Sequence, residues 1–343
     1  MENNELLMSD AEFHEAYNLI KSDVLRGKVP VETPVAIVLG GQPGAGKSNI
    51  YVVANERFNK NIVELDCDAF RVYHPYYDEI KLKYGKEDAE KTNPFVFKVV
   101  DTLVDELSDC KYNMIIESSL KTPHTAIENG ENLSSKGYAV ELQVMATSKH
   151  VSWKGTEDRY NEALKNGGSP RAVPKEFHDL VVNNICNSLN AVKASGLMSN
   201  IMIYDRNKEC LYDMKRDSSV NPSVLLDAVI NSDPMKIEKP VMFYTSLENI
   251  NLIKENEYPY SVGFKEGRLV VSIDKSNKDA ILGLLRDSMV KDAYFIEGVT
   301  SQQFDKIKQA GIASGYNPKS GILKIDKSDK SKVEKILSGS LKI

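Results

Sequence analysis

Residues 37–50 read IVLGGQPGAGKSNI, an apolar run followed by a glycine-rich turn that ends in Gly-Lys-Ser. The turn fits the pattern G-x-x-x-x-G-K-[ST] at every fixed position. Glycines allow main-chain N–H groups to turn inward around phosphate oxygens, and a helix that begins near Lys47 directs its partial positive charge there. The pattern therefore predicts a phosphate-binding loop for ATP, in which Lys47 binds the β- and γ-phosphates and the Ser48 hydroxyl binds Mg²⁺. The predicted ATP-binding residues of the loop are Gly41, Gln42, Pro43, Gly44, Ala45, Gly46, Lys47 and Ser48.

Short apolar runs alternate with helical patterns through the first two thirds of the chain. Buried strands are predicted at 35–39, 61–66, 112–117, 139–146 and 200–205, and helices at 47–57, 95–109, 124–136, 151–165 and 174–195. An earlier amphipathic helix begins at a capping box formed by Ser9 and Glu12. Strands that alternate with helices indicate βαβ units. We therefore expect an α/β fold of the P-loop NTPase type, with a mostly parallel sheet covered by helices on both faces.

The composition is that of an ordinary globular protein, with 41% hydrophobic and 27% charged residues among 343. A net charge of −5 argues against nucleic acid as a partner. The chain has no apolar run of about 18 residues that would predict membrane insertion. Its first residues lack the pattern of a secretory signal, and its four cysteines form no CxxC pair. We therefore expect a reduced, cytoplasmic protein.

The charge is unevenly distributed along the chain. Residues 236–343 carry 18 Lys and Arg against 14 Asp and Glu, whereas residues 1–235 carry 26 against 35. Around this change, Pro222, Pro234 and Pro240 lie among polar residues, as they do in linkers. The sequence therefore predicts a phosphate-binding domain over 1–220, a linker over 221–239 and a second domain over 240–343.

The predicted second domain contains an internal repeat. Its two segments share an apolar strand, a Thr-Ser pair that opens a helix, and a later strand that ends in Ile-Asp-Lys-Ser. The shared Ile-Asp-Lys-Ser tetrapeptides, Ile273–Ser276 and Ile325–Ser328, lie 52 residues apart. Two copies predict a small α+β domain built from two repeats of about 50 residues. Its role stays open between partner binding, regulation and stabilisation alone.

Acidic side chains follow two of the predicted strands. Asp66 and Asp68 come at the end of the second strand, where residues two apart share a face, and Glu117 ends the third. Open α/β sheets place their sites at these carboxyl ends, and carboxylates there hold magnesium through water or accept a proton from an attacking hydroxyl. Helix capping is the alternative interpretation for all three residues.

Two arginines follow the fourth predicted strand. Arg159 and Arg171 lie on either side of a loop that contains Gly-Gly. Guanidinium groups in such a position close over a γ-phosphate and neutralise the charge that is transferred. The alternative is a solvated surface role. His74, beside Pro75, is expected to shape a turn and to line an acceptor pocket.

The order of these parts resembles the zeta toxin family, the kinase components of bacterial toxin–antitoxin systems. The resemblance covers roughly residues 8–213 and rests on LGGQPGAGKS, DCDAFRVYHPYYDE, YNMIIE, KGYAVELQVMA, DRYNEAL, PRAVPKEFHDLVVNNI and GLMSNIMIYDR. It implies a P-loop kinase that uses ATP and Mg²⁺ to phosphorylate the 3′-hydroxyl of the amino sugar in UDP-N-acetylglucosamine. It also implies an antitoxin protein as a partner.

The resemblance implies a role for individual residues as well. Asp68 would be the base that faces the sugar hydroxyl, Lys47 and Ser48 the nucleotide and metal residues, and Glu117 a residue that positions substrate or metal. The predicted catalytic residues are Asp68, Lys47, Arg159 and Arg171, and both arginines are also predicted to bind ATP. The predicted substrate-binding residues are Asp68, His74, Asp101, Glu117, Ser119 and Lys121.

The chain departs from the family pattern on the acceptor side. After the strand glutamate the family commonly has Gly-Thr and then an arginine, whereas this chain has Ser118, Ser119, Leu120 and Lys121. A lysine offers a point charge in place of a bidentate fork. Asp101 also stands where a longer acidic residue is usual. The sequence therefore leaves three hypotheses, which are UDP-N-acetylglucosamine as acceptor, another nucleotide or dinucleotide acceptor, and a nucleotide-gated binding module without transfer.

Overall fold

The computed structural model describes residues 8–166, 172–217, 220–265, 268–291, 293–312 and 314–339. In these ranges the chain forms two compact units, Met1–Asp274 and Lys275–Ile343. None of the helices within the described ranges is long and apolar enough to cross a bilayer.

A six-stranded sheet forms the centre of the first unit. Its strands are β1 (Val35–Gly40), β2 (Val63–Leu65), β3 (Met114–Glu117), β4 (Ala139–Met145), β5 (Asn200–Tyr204) and β6 (Cys210–Asp213). Their order across the sheet is β2-β3-β1-β4-β5-β6. The first five strands pair in parallel, and β6 pairs antiparallel with β5 at the edge of the sheet. Strand β6 was not predicted from the sequence. The central strands are buried almost throughout, which explains their continuous apolar runs.

Nine helices up to residue 230 lie between or beyond these strands in the described ranges. They are α1 (Asp10–Val24), α2 (Ser48–Arg57), α3 (Cys67–Phe70), α4 (Tyr77–Tyr84), α5 (Asp88–Asp109), α6 (His124–Ser135), α7 (Lys149–Lys165), α8 (Lys175–Ser195) and α9 (Pro222–Ile230). The capping box of Ser9 and Glu12 is present at the start of α1, as predicted. Helix α5 begins two turns earlier than expected, because it continues through Pro94 instead of starting after it. The predicted α/β class with a mostly parallel sheet is confirmed.

The segment predicted as a linker contains helix α9, most of which is buried. Asn221 caps this helix by accepting a hydrogen bond from the main-chain N–H of Ser223 at 3.2 Å. Leu225 and Leu226 of α9 belong to the main core of the first unit. The proline-rich composition therefore reflects helix starts as well as turns, and the predicted domain boundaries stay a prediction.

The two repeats fold alike. The first contains β7 (Pro240–Tyr244), α10 (Leu247–Glu255), β8 (Tyr260–Lys265), β9 (Arg268–Asp274) and α11 (Lys278–Lys291), and the second contains β10 (Ala293–Ile296), α12 (Ser301–Gln309), β11 (Ser314–Asn317), β12 (Ile322–Asp326) and α13 (Lys330–Leu337). Each forms a three-stranded antiparallel sheet with its last strand in the middle, in the orders β7-β9-β8 and β10-β12-β11. The sheet of the first repeat belongs to the first unit, where the Tyr260 hydroxyl donates to the Ala228 carbonyl at 2.9 Å.

Candidate active site

The glycine-rich turn joins the end of β1 to the start of α2. Gly41, Gly44 and Gly46 have φ angles of 148°, 72° and 95°, a region that residues with a Cβ atom rarely adopt. The main-chain N–H of Ala45 donates to the Gln42 carbonyl at 3.1 Å and closes the turn. Because α2 begins at the next residues, the N-terminal end of the helix opens onto this turn, as an anion site requires.

Helix α7 packs directly on the backbone of this turn. A Cβ atom on Gly44 would lie 2.0 Å from the Ser152 carbonyl, and one on Gly155 would lie 3.1 Å from the Gly44 carbonyl. Thr156 also lies at this contact, so residues 152, 155 and 156 share the face of α7 that meets the loop. Arg159 is one turn further along that face, and its exposed side chain makes no hydrogen bond or ion pair within the described residues.

A buried polar network holds the turn from the side of β4 and α8. The Gln42 amide donates to the Thr147 carbonyl at 2.7 Å and to the Ser152 hydroxyl at 3.3 Å. The Thr147 hydroxyl in turn donates to the Ala45 carbonyl at 2.7 Å. His178 of α8 lies 2.9 Å from the Ser152 hydroxyl, and its burial lowers the pKa of its ring below the usual value. His178 therefore connects α8 to the contact between α7 and the loop.

The Lys47 side chain reaches towards the carboxyl end of β3, the strand next to β1. Its Nζ lies 3.0 Å from Glu117 Oε1 and donates to the Gly41 carbonyl at 3.2 Å. The other oxygen of Glu117 accepts a hydrogen bond from the Tyr51 hydroxyl at 3.4 Å. The structure thus brings Lys47 and Glu117 together, at the edge where sites of open α/β sheets lie.

Asp66 is the second carboxylate of this group. Burial and the neighbouring charge of Glu117 raise the pKa of Asp66 to about 6. We expected Asp66 and Asp68 to share one face of a strand, and this expectation is wrong because β2 ends at Leu65. Asp66 instead caps α3 and accepts a hydrogen bond from the Asp68 N–H at 2.8 Å. The capping interpretation is therefore the right one for Asp66.

Asp68 occupies the first turn of α3, and 48% of its side chain is exposed. Its Oδ1 accepts a hydrogen bond from Arg71 Nε at 2.9 Å. Arg71 itself is buried, and its Nη1 donates to the Thr92 hydroxyl at 2.6 Å and to a main-chain carbonyl of α5. Its Nη2 donates to Asn93 Oδ1 at 2.9 Å. Asp68 is therefore exposed and bound by the guanidinium of Arg71, which contacts with α5 hold in place.

Arg71 contacts Asp68 and was not among the predicted site residues. The signal was present, since a basic residue stands three positions after the second aspartate in DCDAFR. That spacing places the two side chains on one face of a helical turn. The pair of Asp68 and Arg71 was not predicted, because Asp68 was expected at the end of a strand.

His74 has the turn role that was expected. Its Nδ1 accepts a hydrogen bond from the main-chain N–H of Tyr76 at 3.1 Å, and the Tyr77 N–H donates to its carbonyl at 2.9 Å. The ring meets Phe95 edge to face with centroids 5.1 Å apart. Burial lowers the pKa of His74, so the ring is a neutral packing element here. Its contact with an acceptor stays a prediction.

The other predicted acceptor residues lie on β3, α5 and the loop after β3. Asp101 is on α5, and partial burial together with the charges of Asp105 and Glu128 raises its pKa. The Ser119 hydroxyl accepts a hydrogen bond from the Lys121 N–H at 3.3 Å. The Lys121 ammonium is exposed, 5.8 Å from the ring centroid of Phe177 on α8.

Two predicted positions need separate mention. Arg171 lies outside the residues that the structure describes, so its placement beside Arg159 stays a prediction.

Ser48 is exposed at the first position of α2, next to Lys47. The described residues contain no group of three or more His, Cys, Asp or Glu that would hold a metal alone. The Ser48 hydroxyl and the Glu117 and Asp66 carboxylates are nevertheless hard oxygen donors, which fit an Mg²⁺ that keeps water and phosphate ligands.

A glycine-rich loop between β1 and α2, with acidic side chains after β2 and β3, defines a P-loop nucleotide-binding protein of the α/β class. The family model for zeta toxin matches residues 21–217. The chain therefore belongs to the zeta toxin family, as the resemblance predicted.

Individual relatives cover the same region. The chain is 36% identical over 235 residues to Toxin PezT of Streptococcus pneumoniae serotype 4. The matched region spans 68% of this chain and 92% of the relative. It is 33% identical over 224 residues to Toxin zeta of Streptococcus pyogenes, across 65% of this chain and 78% of the relative. A solved structure from a study of the PezAT chromosomal toxin–antitoxin system of S. pneumoniae superposes with a TM-score of 0.61 at 29% identity, covering 73% of this chain and 96% of that chain.

Proposed function

We propose that this chain is an ATP-dependent kinase of the zeta toxin type, which transfers the γ-phosphoryl group to the 3′-hydroxyl of UDP-N-acetylglucosamine. The observation that carries the proposal is the facing arrangement at the carboxyl edge of the sheet. Lys47 extends from the phosphate-binding turn towards Glu117, and an exposed Asp68 follows the next strand. A phosphate cradle and a carboxylate on neighbouring elements are what phosphoryl transfer to an alcohol requires.

Positioning accounts for most of the proposed catalysis. The main-chain N–H groups of the turn and Lys47 hold the β- and γ-phosphates. Arg159, on the face of α7 that meets the turn, reaches over the γ-phosphate and neutralises charge as it moves to the acceptor. Since α7 and the turn touch backbone to backbone, the arginine and the phosphates keep one relative geometry.

Asp68 is the proposed base. The hydroxyl of the acceptor forms its new bond to the γ-phosphorus, the bond between the γ-phosphorus and the bridging oxygen of ATP breaks, and the hydroxyl proton passes to Asp68. One oxygen of the carboxylate accepts a hydrogen bond from Arg71, which fixes the orientation of the carboxylate group. ADP is the leaving group.

Mg²⁺ fits beside Ser48 and Glu117, where it would supply charge neutralisation between the β- and γ-phosphates. With phosphates bound, Lys47 would contact them in place of Glu117, and the Glu117 carboxylate would then be available to hold the metal. Asp66 supports Glu117 as the second carboxylate of the pair.

A different nucleotide or dinucleotide acceptor is the second candidate. It is favoured by the loop after β3, where Lys121 stands in place of the arginine that the family commonly has. The ammonium of Lys121 is exposed and faces the Phe177 ring, an apolar and cationic combination that also suits a planar base or a diphosphate.

We also propose an antitoxin protein as the partner and the cytoplasm as the location. The proposal rests on family membership and on the toxin–antitoxin system to which the superposed relative belongs. For the two repeats we propose a partner-binding or regulatory role, because the family model matches residues 21–217, which lie before them.

The test uses the purified full chain with ATP, Mg²⁺ and a panel of acceptors that contains UDP-N-acetylglucosamine, other UDP-sugars and dinucleotides. Mass spectrometry of the products should show one added phosphoryl group on UDP-N-acetylglucosamine and none with a Lys47→Ala control. Product from a dinucleotide alone would support the second candidate. Tight ATP binding without product from any acceptor would contradict a kinase and support a binding module.

A further inference from the structure

Arg206 lies beside the phosphate-binding turn and has no role in the proposed transfer. It follows β5 in the tight turn to β6. Its Nε is 3.5 Å from the position of a Cβ atom on Gly46, and the Asn49 side chain donates to its main-chain carbonyl at 2.8 Å. The guanidinium is exposed and makes no hydrogen bond or ion pair within the described residues. A cation therefore stands free at the first turn of α2.

The turn that carries Arg206 is fixed by its own hydrogen bonds. Asp205 Oδ1 accepts from the main-chain N–H groups of Asn207 and Glu209, at 2.8 and 2.9 Å. The Asp205 N–H donates to the Glu209 carbonyl at 3.0 Å. Together with the bond from Asn49, these contacts hold the base of the Arg206 side chain in one place, so its position is a property of the fold.

The strand order tells which end of a bound nucleotide Arg206 meets. Glu117 ends β3 and Asp68 follows β2, both on one side of β1, and Lys47 points to that side. Arg206 follows β5, on the other side of β1. If the transferred phosphate lies towards β3, the nucleoside end of the chain lies towards β5.

We propose that Arg206 binds the nucleoside half of the phosphoryl donor, with its guanidinium plane stacked on the base. The inference rests on the proposed function, because it takes ATP as the ligand of the turn. A planar guanidinium stacks on a purine face, whereas a lysine at the same place offers only a point charge.

Calorimetric titration of the full chain with ATP tests the proposal. Arg206→Ala should weaken ATP binding about tenfold, since stacking and cation–π contacts of this kind have that magnitude. Arg206→Lys should weaken it about as much, because it keeps the charge and loses the plane. Lys208→Ala is the matched control, a cation two residues further in the same turn, and it should leave ATP binding unchanged.

Inorganic tripolyphosphate, used as a competitor of ATP, separates base contact from phosphate contact. Its affinity should be the same in the wild type and in Arg206→Ala. Wild-type affinity in either Arg206 variant, or an equal loss for ATP and tripolyphosphate, would overturn the proposal. Failure of the proposed function looks different, since the wild type would then bind no ATP or Lys47→Ala would bind it normally.

Discussion

Asp66 and Asp68 are two residues apart and occupy opposite electrostatic environments. Asp66 is half-buried against a second carboxylate, Glu117, and its pKa is raised to about 6. Asp68 is exposed and bound by Arg71, a guanidinium anchored on α5. The start of α3 between them turns the two side chains to different partners.

This difference separates two tasks that the sequence presented as one pair. A carboxylate pair beside Lys47 is suited to cations and phosphate chemistry at the P-loop. A single carboxylate held by a rigid arginine is suited to accept a proton from one defined direction. The following changes test that division, in order of decreasing expected effect.

Lys47→Ala should have the largest effect, because it removes the cation that pairs with Glu117 and that we propose binds the phosphates. We expect phosphoryl transfer to fall about 10³-fold and ATP affinity to fall with it. Steady-state kinetics with radiolabelled ATP measures both. Activity within tenfold of the wild type would show that Lys47 and the carboxylate pair beside it have no part in phosphate chemistry.

Asp68→Asn should lower kcat about 10²-fold or more while ATP still binds, because the amide cannot accept the acceptor's proton. Asp66→Asn is the matched comparison, and its kcat should fall less, because Asp66 is not the base in this assignment. Titration calorimetry measures ATP binding and kinetics measures turnover. Near-normal turnover of Asp68→Asn would remove this residue from the base role.

Arg71→Lys should lower kcat about tenfold with little change in the KM for ATP, since one ammonium cannot contact Asp68, Thr92 and Asn93 together. Asn93→Ala is a milder control that removes one anchor without touching Asp68. Both variants are first checked by thermal unfolding. A folded Arg71→Lys with wild-type kcat would mean that Arg71 stabilises the fold without positioning the base.

Asp66→Asn should change the pH dependence of stability, which is the smallest effect. The folded protein holds the Asp66 proton up to a pKa of about 6, above the ordinary value of 3.8, so unfolding releases a proton between these values. Stability of the wild type therefore falls as pH rises through this window and stays lower above it. Asparagine can still accept the N–H of Asp68, so the variant should be more stable at pH 7 by about 1–2 kcal/mol and equal near pH 3.

Urea unfolding at pH 3 and pH 7 measures this difference. Asp305→Asn, at an exposed carboxylate on α12, is the control and should shift stability equally at both pH values. If the gain in stability of Asp66→Asn did not depend on pH, Glu117 would not be raising the pKa of Asp66. The proposed electrostatic difference between Asp66 and Asp68 would then be wrong.

The parallel sheet and the phosphate-binding turn could be predicted because local signals determine both. The strand from Val35 is apolar without interruption, and the turn after it has glycine where φ is positive. The family resemblance was confirmed by the family model, which matches residues 21–217.

What could not be predicted depends on contacts between distant segments or on a one-residue shift. The strand before Asp66 ends at Leu65, and this shift changed the partners of both aspartates. The contact of Gly44 with Ser152 joins residues more than a hundred positions apart, and no local pattern marks it. The antiparallel edge strand Cys210–Asp213 is short and was therefore not visible as an apolar run.

The contact between Gly44 and the carbonyl of Ser152 has a mechanical consequence. The main chain of the turn lies directly against the main chain of α7 at Ser152, so a displacement of the turn is transmitted to the helix. If a triphosphate displaces the turn, helix α7 is displaced with it, and so is Arg159, about two helical turns from Ser152. Occupancy of the proposed donor site would thereby be transmitted to the arginine that we propose closes it, without any separate sensing element.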